Sequence, residues 1–189
     1  LAVGLRLALR RIQPGDLVLT TPFSFVASTN VILFERAIPV FVDVDVQTGN
    51  INPELAAEAA RDLMKGGAAA RRWLPRQLPM PPGPLKALLA VDVFGQPADY
   101  HPLQCTADEH GLRLIEDCCE ALGAEYKGRK AGGFGDYGVF AFYPNKQITT
   151  GEGGMIVTND DEAAGLMRAL RNQGRAPGDT WLSHTYLGY

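Results

Sequence analysis

Segments that favour strands and segments that favour helices alternate along this chain, and this alternation limits its fold more than any other feature. Short apolar runs predict strands at 17–21, within 38–46, and at 85–94, 112–117, 137–143 and 155–158. Helical spacing predicts helices at 1–12, 24–34, 52–65, 100–110 and 160–171. Such alternation is typical of an α/β fold with a mostly parallel central sheet and flanking helices. The strands are almost continuously apolar, which fits a sheet covered on both faces.

Local signals place some element boundaries. We expect Ser24 or Ser28 to cap the helix that follows the first strand. Asn52 followed by Pro53 is typical of a helix N-terminus, where the first residue caps and the proline opens the first turn. Residues 67–84 contain three arginines and, towards their end, five prolines, so this segment predicts a surface loop or an insertion.

The composition disfavours several classes of partner and cofactor. A net charge of −3 without a basic stripe indicates no nucleic-acid partner. No apolar run approaches the roughly 18 residues that a bilayer requires, and no secretory signal is visible. The three cysteines, Cys105, Cys118 and Cys119, form neither a disulfide framework nor a zinc-binding pattern. The chain therefore reads as a cytoplasmic globular protein of 189 residues, which suits one domain or a large piece of a bigger one.

The ends of the predicted strands carry the residues with chemical potential. Ligands of parallel α/β sheets bind outside the carboxyl ends of the strands. Four such ends combine aromatic, acidic and basic side chains, at 21–25, 93–96, 116–120 and 143–146. Neither a GxGxxG nor a phosphate-loop motif follows any strand, which disfavours a generic nucleotide-binding protein.

An acid and a lysine at one sheet edge suggest pyridoxal 5'-phosphate (PLP) chemistry. PLP needs a lysine for a Schiff base and a carboxylate beside its ring nitrogen, and an aromatic side chain can pack on its ring. Lys146 and Asp117 are the candidates for the first two roles. These spacings alone also fit a surface lysine and a helix-capping aspartate, so both interpretations stay open at this point.

Longer stretches of sequence carry a family resemblance. The segments GDLVLTTPFSFVASTN, PVFVDVDVQTGNINPE, VFGQPAD, LIEDCCEALGAEYKGRKAGGFGDYGVFAFYPNKQITTGEGGMIVTND and LRNQGR occur in this order. In order and spacing they resemble the DegT/DnrJ/StrS family of PLP-dependent sugar aminotransferases. The resemblance covers nearly the whole chain and is most specific over 115–160. It implies the large domain of the PLP-transferase fold type I.

The resemblance assigns roles to four residues. Lys146 matches the lysine that forms the Schiff base, and Asp117 matches the aspartate that pairs with the pyridine nitrogen. Phe25 matches the aromatic position that stacks on the ring. Glu120 takes the place of the usual Gln or His near the ring hydroxyl.

The same resemblance implies a reaction and its partners. It indicates an aminotransferase of a nucleotide-linked keto-sugar in polysaccharide or amino-sugar biosynthesis, with an amino acid, most simply glutamate, as amino donor. It also implies a homodimer with a shared active site. A sugar dehydratase of the same family is a first alternative, although those enzymes carry His where this chain has Lys146. A non-catalytic regulator or an inactive fragment is a second alternative.

The chain departs from the family pattern in its extent and at one position. Residues 1–189 match only part of the PLP-binding large domain. The phosphate-binding segment before Leu1 and the small domain after Tyr189 are missing from the sequence. Ala141 stands where a serine is usual, five residues before Lys146. We therefore expect this chain alone to form an incomplete active site.

Overall fold

The structure is a computed structural model that describes residues 12–188, so all but the last residue of the helix predicted at 1–12 lies outside the described residues. The strands are β1 (Leu17–Thr20), β2 (Ile38–Phe41), β3 (Leu85–Val91), β4 (Arg113–Asp117), β5 (Glu125–Tyr126), β6 (Arg129–Lys130), β7 (Tyr137–Ala141) and β8 (Gly154–Val157). The helices are α1 (Ala27–Phe34), α2 (Pro53–Lys65), α3 (Gly67–Arg71), α4 (Tyr100–His110) and α5 (Asp161–Leu170). The chain divides into two units, Leu1–Ile156 and Val157–Tyr189.

One six-stranded sheet organises the larger unit, in the order β2-β1-β3-β4-β7-β8. β1 pairs in parallel with both β2 and β3, β3 pairs with β4, and β4 pairs with β7. All four residues of β1 and six of the seven in β3 are buried, as expected for central strands covered on both faces. Pro39 lies in β2, which is an edge strand, where a missing N–H costs no ladder bond. The predicted α/β fold with a mostly parallel sheet is confirmed.

The two longer helices of this unit follow their sequence signals. Asn52 caps α2, because its side chain accepts a hydrogen bond of 2.9 Å from the backbone N of Leu55. Gly111 ends α4 in the left-handed conformation, with a φ of 63° that glycine adopts without strain. Both helices bury small or apolar side chains in the core that also covers the sheet, and the predicted spans 52–65 and 100–110 are confirmed.

Three local predictions differ from the structure. No side chain caps α1, so the prediction of a Ser24 or Ser28 cap is wrong; Ser28 lies inside the helix and its hydroxyl is used elsewhere. The segment 67–84 is not all loop, since α3 forms at its start, where three consecutive alanines favour a helical turn. The hairpin of β5 and β6 was not predicted; its turn residues Lys127 and Gly128 both have positive φ, as a two-residue type I′ turn requires.

The smaller unit contains α5 and a tail. Asp160 caps α5 through a hydrogen bond of 2.9 Å from the backbone N of Ala163 to its carboxylate. Residues 171–188 contain no further helix or strand. Within residues 12–188, no helix has the length and apolar character needed to cross a bilayer.

Candidate active site

The carboxyl ends of β1, β3, β4 and β7 lead into loops that surround one cavity of about 280 Å³. All four site residues predicted from the sequence line this cavity: Phe25, Asp117, Glu120 and Lys146. The parallel strands explain this convergence, because their carboxyl ends lie at the same edge of the sheet. The cavity is also lined by residues that had no predicted role in a site, among them Phe23, Ser28, Asp92, Phe94 and Cys119.

Asp117 forms the buried end of the cavity. It is the last residue of β4 and is 3% exposed. Its Oδ2 accepts a hydrogen bond of 2.7 Å from Ser28 Oγ, and its Oδ1 accepts a longer one of 3.3 Å from the backbone N of Cys119. Both carboxylate oxygens are therefore oriented by the protein, and Oδ1 retains capacity to accept a further hydrogen bond.

Lys146 lines the same cavity and is paired with Glu120. The lysine Nζ donates to Glu120 Oε1 at 3.2 Å, and the lysine side chain is 15% exposed. The other oxygen of Glu120 accepts a hydrogen bond of 3.0 Å from the backbone N of Phe94. Glu120 thus connects the lysine to the turn that follows β3, and the amine is held at the cavity instead of extending into solvent.

Aromatic side chains surround the mouth of the cavity. Phe25 is 74% exposed. Phe23 and Phe94 meet edge to face, with ring centroids 5.9 Å apart. Phe94 has a φ of 54°, a conformation that is uncommon for a bulky residue and that costs on the order of 1 kcal/mol. Three rings with large exposed areas beside a lysine and two acids form a surface suited to a flat ligand.

Asp92 is a functional candidate that the sequence reasoning missed. It is fully buried directly after β3, and its Oδ1 accepts hydrogen bonds from the hydroxyl of Tyr100 at 2.6 Å and from the backbone N of Ala98 at 2.9 Å. Its Oδ2 is buried without a hydrogen-bond partner among the described residues. Burial raises the pKa of Asp92 to about 6, and the nearby charge of Asp117 adds to this rise. The sequence signal for Asp92 was its position at the end of a strand, but the apolar residues around it in AVDVF obscured that signal.

Glu116 precedes Asp117 in β4 but has a structural role. Neighbouring residues of a strand point to opposite faces, so Glu116 does not share the cavity with Asp117. Its carboxylate accepts hydrogen bonds from the backbone N atoms of Gly132, Phe134 and Gly135, at 2.5 to 2.8 Å. Burial raises the pKa of Glu116, and the three N–H donors oppose that rise. Glu116 therefore fixes the loop 132–135 that precedes β7.

The cavity residues fit PLP. The lysine amine can bond to the aldehyde, the buried Asp117 carboxylate can face a ring nitrogen, and the phenylalanine rings can pack on the ring faces. Asp92 adds a further carboxyl group to the residues that line the cavity. No group of three or more His, Cys, Asp or Glu side chains in residues 12–188 is arranged to hold a metal ion.

A lysine and a buried carboxylate at the carboxyl edge of a mostly parallel sheet are the groups expected in the class of PLP-dependent transferases. Comparison with known proteins then identifies the family. The chain belongs to the DegT/DnrJ/EryC1/StrS aminotransferase family, whose model matches residues 1–189. The aminotransferases of this family depend on PLP, which agrees with the cofactor predicted from the sequence.

Individual relatives support this assignment. The chain is 41% identical over 176 residues to GDP-perosamine synthase of Caulobacter vibrioides, covering 93% of this chain and 42% of that enzyme. It is 38% identical over 191 residues to UDP-N-acetyl-3-dehydro-alpha-D-glucosamine 3-aminotransferase of Acidithiobacillus ferrooxidans, covering 98% and 45%. A crystal structure of a DegT DnrJ EryC1 StrS aminotransferase from Brucella abortus matches 99% of this chain and 47% of its own, at 34% identity and a TM-score of 0.82. The chain thus spans less than half the length of each of these relatives.

Proposed function

We propose that the protein containing this chain is a PLP-dependent aminotransferase that transfers an amino group, most simply from glutamate, to a nucleotide-linked keto-sugar. The observation that carries the proposal is the position of Lys146 and Asp117 in one cavity. Relatives whose names specify a GDP-linked amino-sugar product and a UDP-linked keto-sugar substrate support the substrate class. Such a product belongs to polysaccharide or amino-sugar biosynthesis.

The proposed division of labour follows from the cavity geometry. PLP supplies an electron sink for charge that develops on the substrate carbon. Lys146 would anchor the cofactor and carry the proton to and from that carbon. Asp117 would accept a hydrogen bond from the protonated ring nitrogen. Phe25 would pack on a ring face, and Glu120 would lie near the ring hydroxyl.

We further propose that residues 1–189 form part of the PLP-binding large domain. Because the chain spans less than half of its relatives, other parts of the longer protein would supply the phosphate site and a small domain. A second copy of the protein would complete the site, as in a homodimer with a shared active site. Ala141 lies five residues before Lys146 and offers no hydroxyl, so the phosphate contacts of this segment are weak.

The alternative functions are not favoured. A dehydratase of this family carries His at the position of Lys146, whereas this chain has a lysine whose amine faces the cavity. A regulator or an inactive fragment would need neither a buried carboxylate nor a lysine held at the same cavity.

The test is an absorbance spectrum of the full-length protein with PLP. We expect a visible band that is lost in Lys146→Ala and retained in the control Lys65→Ala, whose lysine is exposed at the end of α2. Addition of glutamate should then shift the wild-type band as the cofactor accepts the amino group. A wild-type protein without a visible band would refute the proposal, and so would a band that persists in Lys146→Ala.

A further inference from the structure

A chain of hydroxyl groups leads to Asp117 from the wall of the cavity. Ser28 Oγ lies 2.7 Å from Asp117 Oδ2, and Ser24 Oγ lies 2.8 Å from Ser28 Oγ. Ser28 is 1% exposed, whereas Ser24 is half-buried at the cavity wall. The two serines are four residues apart around the start of α1, but Asp117 is 89 residues away in the sequence.

The direction of these hydrogen bonds follows from the chemistry of Asp117. A carboxylate oxygen accepts hydrogen bonds, and Ser28 donates its single hydroxyl hydrogen to Asp117 Oδ2. Ser28 can then only accept from Ser24, at 2.8 Å, while the carbonyl oxygen of Phe25, at 3.3 Å, competes for the single hydroxyl hydrogen of Ser24. The chain of hydrogen bonds runs from Ser24 through Ser28 to Asp117, and its outer bond is the weaker one. Successive hydrogen bonds in such a chain polarise and strengthen one another, most of all in a buried setting.

The hydroxyl of Ser28 has no visible role in helix formation. No side chain caps α1, and the hydrogen bonds of Ser28 Oγ connect it to Ser24 and Asp117. A buried hydroxyl without a partner would cost free energy, so its position is explained by the carboxylate that it contacts. Asp117 Oδ1 accepts the longer bond from Cys119 N and remains able to accept another hydrogen bond.

We propose that Ser28 is a positioning residue for Asp117, and that Ser24 strengthens its effect. Ser28 occupies one carboxylate oxygen and fixes its orientation, so that the other oxygen is presented to the ring nitrogen of PLP. The inference rests on the proposed function, because it assigns Ser28 a role in binding that same cofactor. Its effect is a higher affinity for PLP, exerted through Asp117.

The test is the dissociation constant of PLP, measured by absorbance titration of the cofactor-free, full-length protein. Loss of a hydrogen bond to a charged group predicts that Ser28→Ala weakens binding about ten-fold or more. Ser28→Thr keeps the hydroxyl and should bind within about three-fold of wild type. Ser24→Ala removes the outer bond only and should give a smaller loss than Ser28→Ala.

A matched control separates positioning from folding. Thr106 is also buried on a helix and donates its hydroxyl to the Pro102 carbonyl, and it does not line the cavity. Thr106→Val should therefore leave the PLP affinity unchanged. Equal affinities of Ser28→Ala and wild type would overturn the role of Ser28 while leaving the proposed function intact. An equal loss in Thr106→Val would also overturn it, by showing a general effect of lost buried hydroxyls. If wild type binds no PLP, the proposed function fails first and this inference falls with it.

Discussion

Replacing Asp92 with Asn should make the cofactor-free protein more stable at neutral pH but not at acidic pH. Burial raises the pKa of Asp92 from its ordinary value of 3.8 to about 6 in the folded protein. Between these two values the folded state keeps a proton that the unfolded state has released. The stability contributed by that proton is therefore present below about pH 4 and is lost as the pH rises through about 6. A shift of about two pH units corresponds to about 3 kcal/mol.

Asn at position 92 keeps the contacts and removes the titration. Its carbonyl oxygen can still accept the hydrogen bonds that Asp92 Oδ1 receives from Tyr100 and Ala98. We therefore expect Asp92→Asn to exceed wild type in free energy of unfolding by about 2 to 3 kcal/mol at pH 7.5, and by less than about 1 kcal/mol at pH 4. Urea denaturation at both pH values measures this difference.

The exposed Asp108 on α4 provides a control, since Asp108→Asn should change the unfolding free energy little at either pH. A pH-independent difference between Asp92→Asn and wild type would refute the reasoning. So would a destabilisation at pH 7.5, because it would mean that the charged form of Asp92 is favoured by a partner in the folded state.

Four further substitutions test the scaffold by urea denaturation. Gly138→Ala should destabilise the protein by about 1 to 3 kcal/mol, because the added Cβ would lie 2.5 Å from Gly132 Cα. Gly165→Ala on α5 is the matched control: its Cβ meets open space, so it should stabilise the protein by about 0.5 to 1 kcal/mol. Glu116→Gln should lower the free energy of unfolding by about 1 to 3 kcal/mol, because the amide NH₂ of Gln then faces one of the three backbone N–H donors. Amide hydrogen exchange at 132–135 should become faster in the same variant. Unchanged exchange would contradict the role assigned to Glu116. Asn52→Ala should cost about 1 kcal/mol through loss of the α2 cap, and an unchanged stability would show that the cap is redundant.

The fold was largely predictable because its strands and helices have strong local patterns. The strand end at Asp117 and the cap at Asn52 are determined by neighbours within a few positions. The hairpin of β5 and β6 was missed because each strand has only two residues, too few for an alternating pattern. Its turn carries Lys127 before Gly128, which hides the usual Asn-Gly signal of a type I′ turn.

The residues of the candidate site were predictable from the sequence, but the hydrogen bonds between them were not. Ser28 was interpreted as a helix cap because serines before apolar runs often cap. Its contact with Asp117 depends on the placement of α1 beside the end of β4, which no local pattern in the sequence reveals. Asp92 was missed for a related reason. A single acid in an apolar run gives no indication of burial, and its pKa depends on the packing around it.

The charges of the cavity explain why a cofactor with a cationic ring nitrogen suits it. Asp117, Glu120 and Asp92 contribute three carboxyl groups, and Lys146 provides the only lysine or arginine side chain on the described wall. Glu120 already contacts that lysine, so Asp117 and Asp92 have no cationic partner there, and their repulsion contributes to the raised pKa of Asp92. A protonated ring nitrogen at Asp117 would supply the missing positive charge and weaken that repulsion. Asp92 would then release its proton more readily, so cofactor binding and proton release near pH 6 would be coupled through two adjacent strand ends.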